Sequence, residues 1–62
     1  MKAKFLEVML NEKNFENNLQ LYMKTGYKTY EVMIEHDLDR FKWEYGQDVY
    51  YKFNKIYQTI KA

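Results

Sequence analysis

The chain has 62 residues, with 10 basic and 9 acidic side chains, a formal net charge of +1, one histidine and no cysteine. Disulfides, thiolate metal sites and a multi-histidine metal site within one chain are thereby excluded. The near-neutral balance gives no long-range field to draw in nucleic acid or an anionic membrane, and no apolar run approaches the length of a membrane span.

A chain this short forms one small domain, residues 1–62, and buries only about 60% of the surface its unfolded form exposes. Without disulfides or metal, it must lean on aromatic rings, oligomerisation or both. Aromatics are 19% of the residues, the composition of a folded protein. Nine lysines against one arginine, five asparagines, seven tyrosines and no proline form a bias that accompanies AT-rich genomes, such as those of low-GC bacteria and their phages.

The opening MKAKFLEVML carries two lysines and an apolar run, as a secretory leader does. The run is short, Glu7 interrupts it and no small-residue cleavage site follows, so a cytoplasmic protein is expected. Over residues 4–10, Leu6, Val8 and Leu10 alternate with Phe5 and Met9, which predicts a first strand. Residues 11–18 hold four asparagines around Phe15 and read as a loop with one inward anchor.

Residues 18–24 and 27–35 read as a hairpin turning at Thr25 and Gly26, where glycine supplies a positive φ. In that register Leu21 faces Tyr30 and Leu19 faces Val32. Leu19, Leu21, Met23, Tyr30 and Val32 then share an apolar face, opposite Gln20, Tyr22, Thr29, Glu31 and Met33.

From residue 38 to about 61 the period changes to that of a helix. Phe41, Tyr45, Val49, Phe53, Ile56 and Ile60 form one stripe headed by Leu38, with Asp37 as N-cap and Asp48–Lys52 as a helical pair. Gly46 is the weak point, costing roughly 1 kcal/mol against alanine in a helix interior. The expected fold is α+β: a three-stranded antiparallel sheet covered by one C-terminal helix. The alternative is all-α, with three helices near 3–13, 15–25 and 30–61. It is disfavoured by the strand-forming run from Tyr27 to Val32.

Functional chemistry is limited by inventory. The chain has no serine and no cysteine, and its two glycines stand apart, so the usual nucleophile triads and a glycine-rich phosphate loop are impossible. Glu35, His36, Asp37 and Asp39 cluster, but they read as a polar strand-to-helix junction. No catalytic activity, cofactor, metal or small-molecule substrate is expected.

The feature left over is a second helical stripe, Trp43, Tyr50 and Tyr57, spaced by seven. It points to a protein-binding surface, because such aromatics are enriched at binding hot spots. The expected function is a small interaction module that regulates or inhibits a larger host complex, of phage or mobile-element type, or that pairs with itself as a homodimer. The second reading is nucleic-acid binding. It would use Phe5 and Tyr22 to stack bases and Lys2, Lys4, Lys24 and Lys28 to hold the backbone.

Overall fold

A computed structural model describes residues 2–62, with side-chain surroundings from residue 5 onward. The chain forms four helices: α1 (Lys2–Asn11), α2 (Lys13–Thr25), α3 (Lys28–Glu44) and α4 (Gln47–Lys61). No strand occurs among the described residues. The expected α+β fold is therefore wrong in each of its three strands, and the all-α alternative is close.

The reason is that period 2 and period 3.6 coincide over a few residues. In α1 the inward positions are Phe5, Val8 and Met9, at steps of three and one, not Leu6, Val8 and Leu10. Leu6 and Leu10 are 60% and 67% exposed. The asparagine-rich stretch is helical from Lys13 onward, and Phe15 is buried from within that helix. The supposed hairpin is two helices. Leu19 and Tyr22 pack on the core from α2, and Ile34, Leu38 and Phe41 are buried along α3.

Both glycines sit where the chain reverses. Gly26 has φ 72° and ψ 13°, the left-handed conformation that ends a helix, and its N–H donates to the Tyr22 carbonyl at 2.8 Å. The turn expected at Thr25–Gly26 is there, joining helices instead of strands. Thr25 braces it: its hydroxyl donates to the Leu21 carbonyl at 2.8 Å and accepts from the Tyr27 N–H at 3.3 Å.

Gly46 lies at φ 104° and ψ 168°, a region open essentially to glycine alone. It separates α3 from α4, so the expected helix over 38–61 is two helices. Asp37 is not an N-cap but lies well inside α3, 3.4 Å from Arg40. Asp48 and Lys52 form no ion pair; the Lys52 ammonium lies over the Phe5 ring, 5.4 Å from its centre.

The contacts fix the topology. Phe41–Phe53, Tyr57–Glu35 and Lys61–Glu31 move apart in step, so α3 and α4 are antiparallel. Phe15–Phe41 and Tyr22–Glu31 do the same for α2 and α3. With 17 residues at 1.5 Å each, α3 is about 26 Å long and accounts for most of the 31 Å long axis. Helix α1 adds Val8 to the fully buried set, while α3 and α4 add three residues each.

Each helix contributes one phenylalanine to the centre. Phe53 of α4 stacks on Phe5 of α1 at 4.8 Å and meets Phe15 of α2 at 5.3 Å and Phe41 of α3 at 5.5 Å. Phe15 and Phe41 close the set edge-to-face at 5.0 Å. Such ring pairs add about 0.5–1.5 kcal/mol each beyond the area they bury.

A polar clamp ties two of the three tight junctions together, α1–α2 and α3–α4. Glu12, the single residue between α1 and α2, accepts from both terminal nitrogens of Arg40, at 2.8 and 3.2 Å. The Tyr45 hydroxyl, at the α3–α4 junction, donates to the same carboxylate at 2.8 Å. Arg40 also pairs with Glu44. The hydrogen bonds from Arg40 hold the Glu12 carboxyl below its ordinary value of 4.5, against the opposing effect of burial.

Two outcomes test this description. Gly46→Ala would stabilise a continuous helix by about 1 kcal/mol. With the observed backbone it should instead destabilise by roughly 1–3 kcal/mol, read as a lowered denaturation midpoint. Because the Glu12 pKa is depressed on folding, its contribution is complete above its ordinary value of 4.5 and is lost as pH falls through the lower folded value. Glu12→Gln should remove that acid-limb slope and cost roughly 1.5–3 kcal/mol at neutral pH; an unchanged slope refutes the clamp.

Candidate functional site

Helices α3 and α4 diverge enough on one side to leave a groove of about 270 Å³. Its α3 wall is Glu35 and Asp39, one turn apart, with Leu38 beneath. Its α4 wall is Tyr50, Asn54 and Gln58, and Tyr57 forms part of its floor. Trp43 stands one further turn along α3 from Asp39, on the same side of the helix, and is 82% exposed.

Of the three aromatics singled out in the sequence, Tyr50 and Tyr57 line the groove and Trp43 stands outside its lining, and the three occupy different environments. The break at Gly46 shifts the phase between Trp43 and Tyr50, so they do not form one stripe. Tyr57 is 1% exposed and belongs to the core. Tyr50 is half-buried, with the Lys42 ammonium 5.0 Å from its ring centre. Trp43 projects into solvent. The first stripe divides as well. Phe41, Val49 and Phe53 are core, whereas Ile56 is 39% exposed and lines the outer side of α4 with Ile60.

Tyr57 explains why the floor is fixed. Its hydroxyl donates to Glu35 at 2.9 Å, and the Lys61 ammonium lies 5.3 Å from its ring centre and 3.7 Å from the same carboxylate. Lys61 also reaches Glu31, which accepts from Tyr22 at 3.5 Å. Burial, then the hydrogen bond to Glu35, pushes the Tyr57 phenol well above its ordinary range. Tyr45 rises to about 12, chiefly through its bond to Glu12. Asp39 has no ion-pair partner among the described residues, although it lies on the groove wall.

The groove therefore offers a free carboxylate, two side-chain amides and a tyrosine, beside an exposed indole. It can receive a basic or hydrogen-bonding side chain, with the indole face available to an apolar or cationic neighbour. Nothing in it resembles a nucleophile held by a base. His36 is exposed on another side of α3, and no group of three metal-ligating side chains comes together among the described residues.

The residues of the nucleic-acid reading are dispersed. Phe5 is stacked on Phe53, and Tyr22 is half-buried beside Tyr57. Neither presents a free ring face on a sheet. Lys24 and Lys28 are exposed at either side of the α2–α3 turn. The side chains of Lys2 and Lys4 lie outside those described. No helix among the described residues is long and apolar enough to cross a membrane. The chain matches no protein-family model, no curated protein and no solved structure.

The Tyr57–Glu35 bond gives a direct test. A tyrosine pKa raised on folding contributes stability that is complete below its ordinary value of 10.0 and is lost as pH rises through the folded value. Phenolate absorbance should therefore show Tyr45 and Tyr57 ionising late, with unfolding. Tyr57→Phe should delete one late-titrating phenol and cost about 1 kcal/mol. If the alkaline profile of the variant overlays that of the wild type, the bond is not formed.

Proposed function

We propose that the protein is a non-enzymatic protein-interaction module whose α3–α4 groove grips a partner segment, with Trp43 as the anchor. The observation that carries this reading is Trp43 itself. A lone indole 82% exposed beside a shaped groove leaves apolar surface uncovered, and tryptophan is the side chain most enriched at binding hot spots. The partner's chemistry follows from the walls. Asp39, with no ion-pair partner among the described residues, favours an arginine or lysine, which can also lie over the Trp43 ring. A second copy of the chain is the simplest such partner; a larger complex regulated by occlusion is the other.

Tyr57 contributes to this surface only by shaping its floor, so the partner touches Trp43, Tyr50 and Asp39. The groove floor is held by core packing and by the Glu35–Tyr57–Lys61 set, and such a surface binds without prior rearrangement.

Trp43→Ala tests the proposal cleanly because the side chain supports nothing in the fold. Its melting temperature should match that of the wild type. Self-association in light scattering, or retention of the partner captured from the source cell, should weaken by ~2 kcal/mol or more. A variant that associates as strongly as the wild type sinks the assignment of Trp43, and a wild type with neither self-association nor a partner sinks the function.

A further inference from the structure

On the other side of α4 lies a second groove, of about 490 Å³, between α4 and α1. Phe5, Ile56 and Ile60 make it apolar; Lys52, Lys55 and Thr59 complete its lining. At about 100° per residue, these α4 positions point nearly opposite to Tyr50, Asn54 and Gln58. The two grooves are therefore independent surfaces of one helix. The second also differs in charge: among the described residues no carboxylate lines it and neither Lys52 nor Lys55 has an ion-pair partner.

We infer that this groove is a docking site for an acidic amphipathic helix of a partner protein. Apolar side chains at helical spacing fill the strip over Phe5, Ile56 and Ile60, and glutamate or aspartate at the edges meets Lys52 and Lys55. Three features favour a helix over other anionic amphiphiles. The groove runs along α4 with Phe5 of α1 at one side and is open to solvent, so a helix seated there can lay an apolar face along Ile56 and Ile60. An acyl chain would stay half in water. Lys55 stands beside the apolar strip and the Lys52 ammonium lies over its Phe5 end, so the positive charge meets an incoming helix along the strip and does not crown a closed tunnel. With no anionic wall, the groove discriminates by charge against a basic helix of the same shape.

This inference does not rest on the role given to Trp43, and its test keeps the two apart. The probe is a pair of labelled peptides about 18 residues long, above the length at which an isolated helix is marginal. Both carry leucine at steps of three and four; one is filled with glutamate and the other with lysine. Wild-type protein should bind the glutamate peptide about tenfold more tightly than the lysine peptide, with the preference shrinking as salt rises. The double variant Lys52→Glu/Lys55→Glu should reverse the order while remaining folded, the loss of the Lys52–Phe5 contact being read separately in its melting temperature. Trp43→Ala should leave the preference intact.

Several results would overturn the inference. One is no binding of either peptide. Another is equal affinity for both, or a preference unmoved by the double variant. A third is lysine-dependent binding to anionic vesicles with none to the peptide, which would make the occupant a membrane. A fourth is an effect of the double variant on the protein's own oligomeric state alone, which would make it a second copy.

Discussion

Phe53 touches the phenylalanine of each other helix, and the rest of the molecule depends on that convergence. A chain of this size has no second core to fall back on. Its four phenylalanines come one from each helix, so no pair of helices owns a complete interior. The fold is accordingly a single cooperative object: α2, α3 and α4 form an antiparallel layer, and α1 is fastened to it through Phe5 and Val8. The thin attachment of α1 leaves Leu6 and Leu10 outside and opens the groove against α4.

Geometry at the α1–α2 and α3–α4 junctions then follows. A single residue separates α1 from α2, and its carboxylate is the acceptor for Arg40 and Tyr45. One charged cluster thus ties together two helix junctions distant in sequence. An exposed ion pair is worth little, but this carboxylate is largely covered and shared between two donors. Losing either donor leaves the carboxylate short of a partner. The conformation of Gly46 and the clamp act together. The glycine permits the turn, and the Tyr45 hydroxyl beside it holds the turn against the α1–α2 corner.

How much of this was legible in the sequence depends on the length of the signal. Val49 and Phe53 were readable as core because α4 is long and strongly periodic. Gly46 was readable as the point where a helix could fail, and Gly26 as a turn. The strands fail because each segment is too short to separate two periods, and the strand formers of residues 27–32 favour the sheet over the all-α alternative. The separating signal lies in Tyr30, Ile34, Leu38, Phe41 and Tyr45, whose steps of four and three run without interruption from the supposed strand into the supposed helix. Strand preference spans only about 1 kcal/mol per residue and depends on context, whereas burying one large apolar side chain contributes about 1.5–3 kcal/mol, so the burial of Ile34, Leu38 and Phe41 along α3 overrides it. Leu19, Leu21 and Met23 alternate by coincidence, and the polar residues around His36 lie within α3 on more than one side of it, not at a junction. At the site, the seven-residue spacing of Trp43, Tyr50 and Tyr57 held only for an unbroken helix. The clamp had no local signature, since Glu12 meets residues 28 and 33 positions away.

The placement of Trp43 has a spectroscopic consequence. It is the only indole in the chain, and the folded state keeps it in water. Its emission in the native protein is therefore already that of a hydrated indole and changes little when the chain unfolds. The interior is reported instead by tyrosine and phenylalanine rings. The same isolation makes the indole a clean reporter of whatever comes to cover it, because a blue shift has one structural meaning: something other than this chain's own core has excluded water from its surface.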